Sequence, residues 1–186
     1  MGLLGLIRRG RHERAGFDLY ATAVAAAREP FFYTILGVQD TLDGRFDMVG
    51  LHAFLVIRRL KRELSPGPVL AQSVFDAMFS DMDVSLREMG AGDLSVGRKV
   101  RAMWEAFHGR AAAYGSALDA GNTVALDAAL LRNVWRGKAP LDTSVGRLRE
   151  VVLAQNAHLA TLEFSGLVRG EVHFLRAEDV NCGRPS

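Results

Sequence analysis

Gly92-Asp93-Leu94-Ser95-Val96-Gly97-Arg98-Lys99 has the glycine spacing of a phosphate-cradling loop, where backbone N–H groups hold an anion and a lysine reaches the outer phosphates. Arg98 stands where that lysine belongs, and Lys99 where the magnesium-binding hydroxyl belongs. The stretch also follows a helical pattern rather than a strand, so the match is rejected. Asp40 to Gly50 fits a calcium loop no better: Asp43-Gly44 match the fifth and sixth positions, but Gln39, Thr41 and Gly50 stand at the first, third and twelfth. The bidentate acid is missing. Asp81 and Asp83 project from different sides of one helix, and His12, His52, His108, His158 and His173 include no close ligand pair. No metal and no cofactor is expected. No motif surrounds a serine or Cys182 that would mark a nucleophile, and an enzyme is not expected.

Two polar sets remain. Arg45, His52 and Arg59 recur every seven residues along one helical pattern and form a polar seam in an otherwise apolar stretch. One reading makes them satisfied boundary groups, since buried polar groups find partners. The other makes the seam a groove that receives another molecule. Asp76, Asp83 and Arg87 flank the apolar stripe of the next long pattern, with Asp83 and Arg87 an i, i+4 pair. They read as a surface network or as an acidic docking face for a basic partner. Met78, Met82, Met89 and Met103 suit a core, or a surface that must accept varied apolar shapes.

The elements that position these groups are helices. Gly16 to Glu29 is alanine-rich and stops before Pro30, which disfavours helix at the preceding residue. Pro30-Phe31-Phe32-Tyr33 is most simply an aromatic plug for the core, with an exposed aromatic patch for a partner as the rival reading. Arg45 to Glu63 carries apolar residues on so wide a surface that it predicts a central helix with several neighbours. Ser65-Pro66-Gly67-Pro68 breaks the chain. Apolar residues at 75, 78, 79, 82, 86 and 89 then form one stripe, Gly90 to Gly92 stops it, and Asp93 or Ser95 is the expected cap of the following helix. There Val96, Val100, Met103, Trp104, Phe107, Ala111, Tyr114 and Leu118 share a face. Asn122 is a cap for Thr123 to Val134, and Leu148 to Leu162 marks the last clear helix. From Phe164 to Phe174 the period is lost, which leaves a short strand pair or a docked loop.

The sum is an all-α fold: one compact multi-helix domain with short connections and a short irregular or β-like segment near its C-terminus. Residues 1–16 form a basic N-terminal segment, 17–174 the helical domain and 175–186 a tail. With 49% apolar and 24% charged residues the composition is that of a soluble globular chain. The net charge of +2 is too small to argue for nucleic acid, and no DNA partner is expected. Arg8, Arg9, Arg11 and Arg14 cluster near the start, where a frayed terminus competes with a short membrane-surface segment. A single cysteine, Cys182, excludes an intrachain disulfide and favours a cytoplasmic compartment.

Several stretches carry a resemblance. They are Pro30-Phe31-Phe32-Tyr33; VQDTLDGRFDMVGLHAFLVIRRLK from Val38 to Lys61; FDAMFSDMDVSLREMGAGDLSVGRKV from Phe75 to Val100; Phe107-His108-Gly109-Arg110; and Arg132-Asn133-Val134-Trp135-Arg136-Gly137. Across Phe17 to Gly137 the chain resembles the ubiquinol–cytochrome c chaperone family, assembly factors for the cytochrome bc complex. Gln39 replaces an expected proline and Ala91 an expected valine. The resemblance implies an all-helical, non-enzymatic chaperone of bacterial type that binds newly made cytochrome b. It implies a place on the cytoplasmic side of the inner membrane; the basic start suits peripheral contact with anionic lipid, and a second assembly factor or the ribosome is a further candidate partner on which the sequence is silent. Arg45, His52, Arg59, Asp76, Asp83 and Arg87 are the candidate client contacts. The rival is a haem- or lipid-handling helical protein at the membrane surface, with His52 or His108 as haem contacts.

Overall fold

The helix at the centre is α3 (Leu42–Lys61). Thr41 caps its start, accepting a hydrogen bond from the Gly44 amide at 3.2 Å, so it begins three residues before the expected Arg45. Phe46, Met48, Val49, Leu51, Ala53, Phe54, Leu55, Val56, Ile57 and Leu60 are all buried. A helix apolar almost all round must be enclosed on every side, and α3 is packed by α1 (Leu3–Ala27), α4 (Gly67–Glu88), α5 (Asp93–Asp119), α6 (Thr123–Trp135) and α7 (Ser144–Thr161). Two short helices, α2 (Pro30–Thr34) and α8 (Phe164–Val168), and a 3-10 turn at Ala177–Asp179 complete the fold. The computed structural model describes the backbone of residues 3–90 and 92–180, and side chains from residue 10 onward within those spans, Leu94 excepted. Among the described residues every regular element is a helix.

Four expectations change. α1 does not start at Gly16; it is one helix from Leu3, passing through the boundary drawn at residue 16. No proline interrupts residues 3–27, and Gly16 serves packing: a Cβ there would stand 2.4 Å from the Ser73 Cβ, so only glycine lets α1 lie this close to α4. The stripe that begins at Phe75 belongs to a longer helix that starts at Gly67, with Pro68 in its first turn, where a missing N–H costs nothing. Neither Asp93 nor Ser95 caps α5. Gly92 takes the cap position, Asp93 opens the helix, and Ser95 Oγ donates back to the Gly92 carbonyl. Finally, Phe164 to Phe174 forms no strand pair: a short helix, α8, comes first, and the docked loop follows it as an extended strap.

That strap is tied at both ends. Gly170 turns it at φ +86°, pressed against Ala15 and Asp18 of α1. The buried Gln155 side chain of α7 then clasps Leu175, donating to its carbonyl at 2.6 Å and accepting from its amide at 3.0 Å. Glu29 accepts from the Ala177 amide at 2.9 Å. The tail expected from residue 175 is thus docked at its start, while Cys182 lies outside the described residues. The aromatic plug is as expected: Phe32 is fully buried, Phe31 nearly so, and Tyr33 donates to the Ala27 carbonyl at 3.0 Å. Asn122 caps α6 through the Ala125 amide at 2.9 Å.

Candidate functional site

The seam on α3 is not a groove. Arg45, at its exposed end, forms a two-pronged pair with Asp40 at 2.6 and 3.1 Å. His52 is 2% exposed, its ring held between Phe32 and Phe174 with centroids 5.4 Å away on each side. Its Nδ1 donates to the Met48 carbonyl at 2.8 Å, and burial pushes its pKa down to about 4. A sealed imidazole of this kind reaches neither a client nor a haem. Arg59 is turned inward as well, donating to the carbonyls of Leu159 and Leu162, both at 2.9 Å, and to Glu63 at 2.6 Å. The guanidinium satisfies carbonyls at the C-terminal end of α7, where a cation is favoured. The seam is therefore a line of contacts toward α2, α7 and the strap.

On α4 the other set does reach solvent. Asp76 is exposed and accepts from Gln72 at 2.7 Å, and Arg87 bonds Asp83 at 2.6 Å and also Asp93 of α5. Asp76 lines a shallow depression against α1 with Glu13, Phe17, Asp81 and Val84. Among the described residues no hydrogen bond or ion pair joins the α4 set to the α3 set. Of the methionines, Met78 and Met82 are core and Met89 is exposed, so the adaptable surface expected from them and from α3 is largely interior.

A groove lies instead where α3, α4 and α5 meet, its floor closely packed and the Trp104 indole its open apolar group. It measures about 680 Å3 and has Phe54, Ile57, Ala71, Phe75 and Phe107 as its apolar lining. Trp104, 45% exposed, flanks it and stacks on His108 at 4.0 Å between centroids. Phe75, Phe79 and Phe107 contact one another in tilted and edge-to-face pairs at 4.7 to 6.3 Å, the geometry that ring quadrupoles favour. The rim is basic: Arg58, Lys61 and Arg62 come from the last turn of α3 and the residue after it. Arg58 is anchored to Asn156 at 3.1 Å and Asp119 at 2.5 Å. Lys61 and Arg62 are exposed and make no ion pair among the described residues. Sequence reasoning placed Trp104 on the core face with Phe107. Their spacing does put them together, but nothing in it tells which end of that face is covered.

Beside the groove, Asp47 of α3 is buried between Arg110 of α5, which contacts one carboxylate oxygen, and Arg136 at the end of α6, 2.5 Å from the other. Burial pushes the Asp47 pKa up, opposed first by Arg110 and then by Arg136. Arg136 reaches it from a left-handed conformation, φ 54°, that ends α6. These three residues come from three of the separate stretches that carry the family resemblance, and they meet at one point. The two longest stretches also share a surface, since α3 packs on α4.

Comparison with known proteins agrees with that convergence. The family described as ubiquinol-cytochrome C chaperone matches residues 34–174. Ubiquinol-cytochrome-c reductase complex assembly factor 1 from Xenopus laevis is 25% identical over 175 residues, 92% of this chain and 87% of that protein. The crystal structure of the Cbp3 homolog from Brucella abortus aligns with a TM-score of 0.83 at 36% identity, covering 96% of this chain and 99% of that one. With the matched span reaching from the end of α2 to the strap, and the same helical fold in a solved relative, the chain belongs to the ubiquinol–cytochrome c chaperone family.

Proposed function

We propose that this protein promotes assembly of ubiquinol–cytochrome c oxidoreductase by holding newly made cytochrome b at the cytoplasmic face of the inner membrane, without a bond-making step of its own. The observation that carries this reading is the aromatic groove between α3, α4 and α5. A holding protein must offer apolar surface that is open before the client arrives, and rigid aromatic side chains at a concave site supply it at low entropic cost. An exposed Trp104 beside a ready-made apolar floor has that character.

Polar contacts would extend from it. Membrane proteins keep Lys/Arg-rich loops on the cytoplasmic side, and Asp76, with Asp81 beside it in the depression against α1, offers them opposite charge. Arg45, Asp83 and Arg87 remain proposed contacts at the surface; His52 and Arg59 act by holding the fold. The test is recovery of cytochrome b on the tagged protein from detergent-solubilised membranes. Trp104→Asp should lower recovery at least tenfold while far-UV CD and melting stay as in the parent. Undiminished recovery would remove the groove from the reading.

A further inference from the structure

We propose that the tip formed by the turn between α3 and α4 docks on an anionic lipid bilayer, Leu64 entering the acyl region and Lys61 and Arg62 meeting the headgroups. Leu64 is 89% exposed at this turn, the most exposed large apolar side chain among the described residues. Lys61 and Arg62 precede it in the chain, with Glu63 between, its carboxylate held by Arg59 at 2.6 Å; both cations are exposed without an ion pair among the described residues. Arg45, Arg87 and Arg169, by contrast, are each neutralised by a neighbouring carboxylate.

The surroundings match. Val69, 51% exposed, stands in the first turn of α4 and shares a depression with His12 and Glu13 of α1 and Asp76 of α4. Arg11 and Arg14 on either side of His12 are exposed and also without ion pairs among the described residues. On the far side, Lys61 and Arg62 share the groove rim with Trp104, and a half-exposed indole suits the headgroup region. No helix among the described residues is long and apolar enough to cross a membrane.

A protein partner is the weaker fit. Protein interfaces bury an apolar anchor inside a ring of polar contacts, whereas a lone protruding leucine beside exposed cations fits a surface that yields around it. Each cation near an anionic leaflet raises partitioning about fivefold, and the attraction falls off over about 8 Å at physiological salt. Binding is therefore reversible and salt-sensitive. The inference rests on the chaperone reading only for bringing the protein near a membrane.

The experiment is co-sedimentation of the full chain with vesicles of phosphatidylcholine alone and with phosphatidylglycerol added. The expected result is binding to the anionic vesicles only, lost at high salt, with a blue shift of Trp104 emission read in a Trp135→Phe background. Leu64→Asp should weaken it about tenfold, and Lys61→Glu with Arg62→Glu more strongly, with far-UV CD unchanged. Leu64→Asp should still recover cytochrome b from detergent extracts, which separates failure of the tip from failure of the chaperone reading. Equal binding to neutral vesicles, or parental binding by Leu64→Asp, overturns the proposal. So does an acidic amphipathic peptide that binds at the tip when vesicles do not, or loss of client recovery by Leu64→Asp in detergent.

Discussion

Two buried polar groups carry opposite consequences. Asp47 sits in the core with Arg110 beside it, and the Arg110 side chain is only 20% exposed. Asp47→Ala leaves that guanidinium without its counter-charge, and breaking a buried pair from one side costs about 3–5 kcal/mol. A urea melt of the variant should show that loss. His52 is sensitive to pH instead. Its folded pKa lies below the ordinary 6.5, down at about 4, because burial disfavours the cation. Above pH 6.5 neither folded nor unfolded chain is protonated at this residue, and stability does not respond to it. Between 6.5 and 4 only the unfolded chain binds the proton, so stability falls as pH falls, by up to about 1.4 kcal/mol per unit. Urea midpoints measured across that window should decline in the parent, and His52→Phe, which fits between Phe32 and Phe174 without a titrating group, should flatten the decline.

At the scale of helices, close approach and end-capping decide. In Gly16→Ala the new methyl would stand 2.4 Å from the Ser73 Cβ and 2.7 Å from its carbonyl carbon, so α1 must move off α4. Overpacking of this kind costs about 1–3 kcal/mol, measurable as a lowered Tm with helix content retained. Arg59→Ala uncovers the Leu159 and Leu162 carbonyls and should cost about 1–3 kcal/mol, with faster amide exchange in the last turn of α7. Helix identity was legible in the sequence because apolar period, Asn122 and Pro30 all act locally; the Thr41 cap went unread, and α3 starts three residues before the expected Arg45. The start of α1 was not, since an alanine-rich run hid a helix that continues upstream through basic residues. Nor was the fate of the seam: spacing by seven places Arg45, His52 and Arg59 on one side of α3, but what covers His52 is Phe174, from a stretch with no periodicity. The groove was hidden for the same reason. Trp104 and Phe107 read alike along α5, and only the joint packing of three helices leaves one open and the other closed.

Across the whole molecule, the strap after α8 holds the first and last parts of the chain together. Gln155 grips Leu175 through two hydrogen bonds, Glu29 holds the Ala177 amide, and Phe174 covers His52. Gln155→Ala should release that grip and cost about 1–3 kcal/mol. Hydrogen exchange at the Leu175 amide should quicken well before any change in the α3 amides. The order of translation gives this arrangement a further meaning. Residues 171–177 are made after α2 and α3, so the imidazole pocket and its phenylalanine wall stay wet until the strap emerges. A member of an assembly-chaperone family thus carries an uncovered pocket of its own until the strap has been made and closes it.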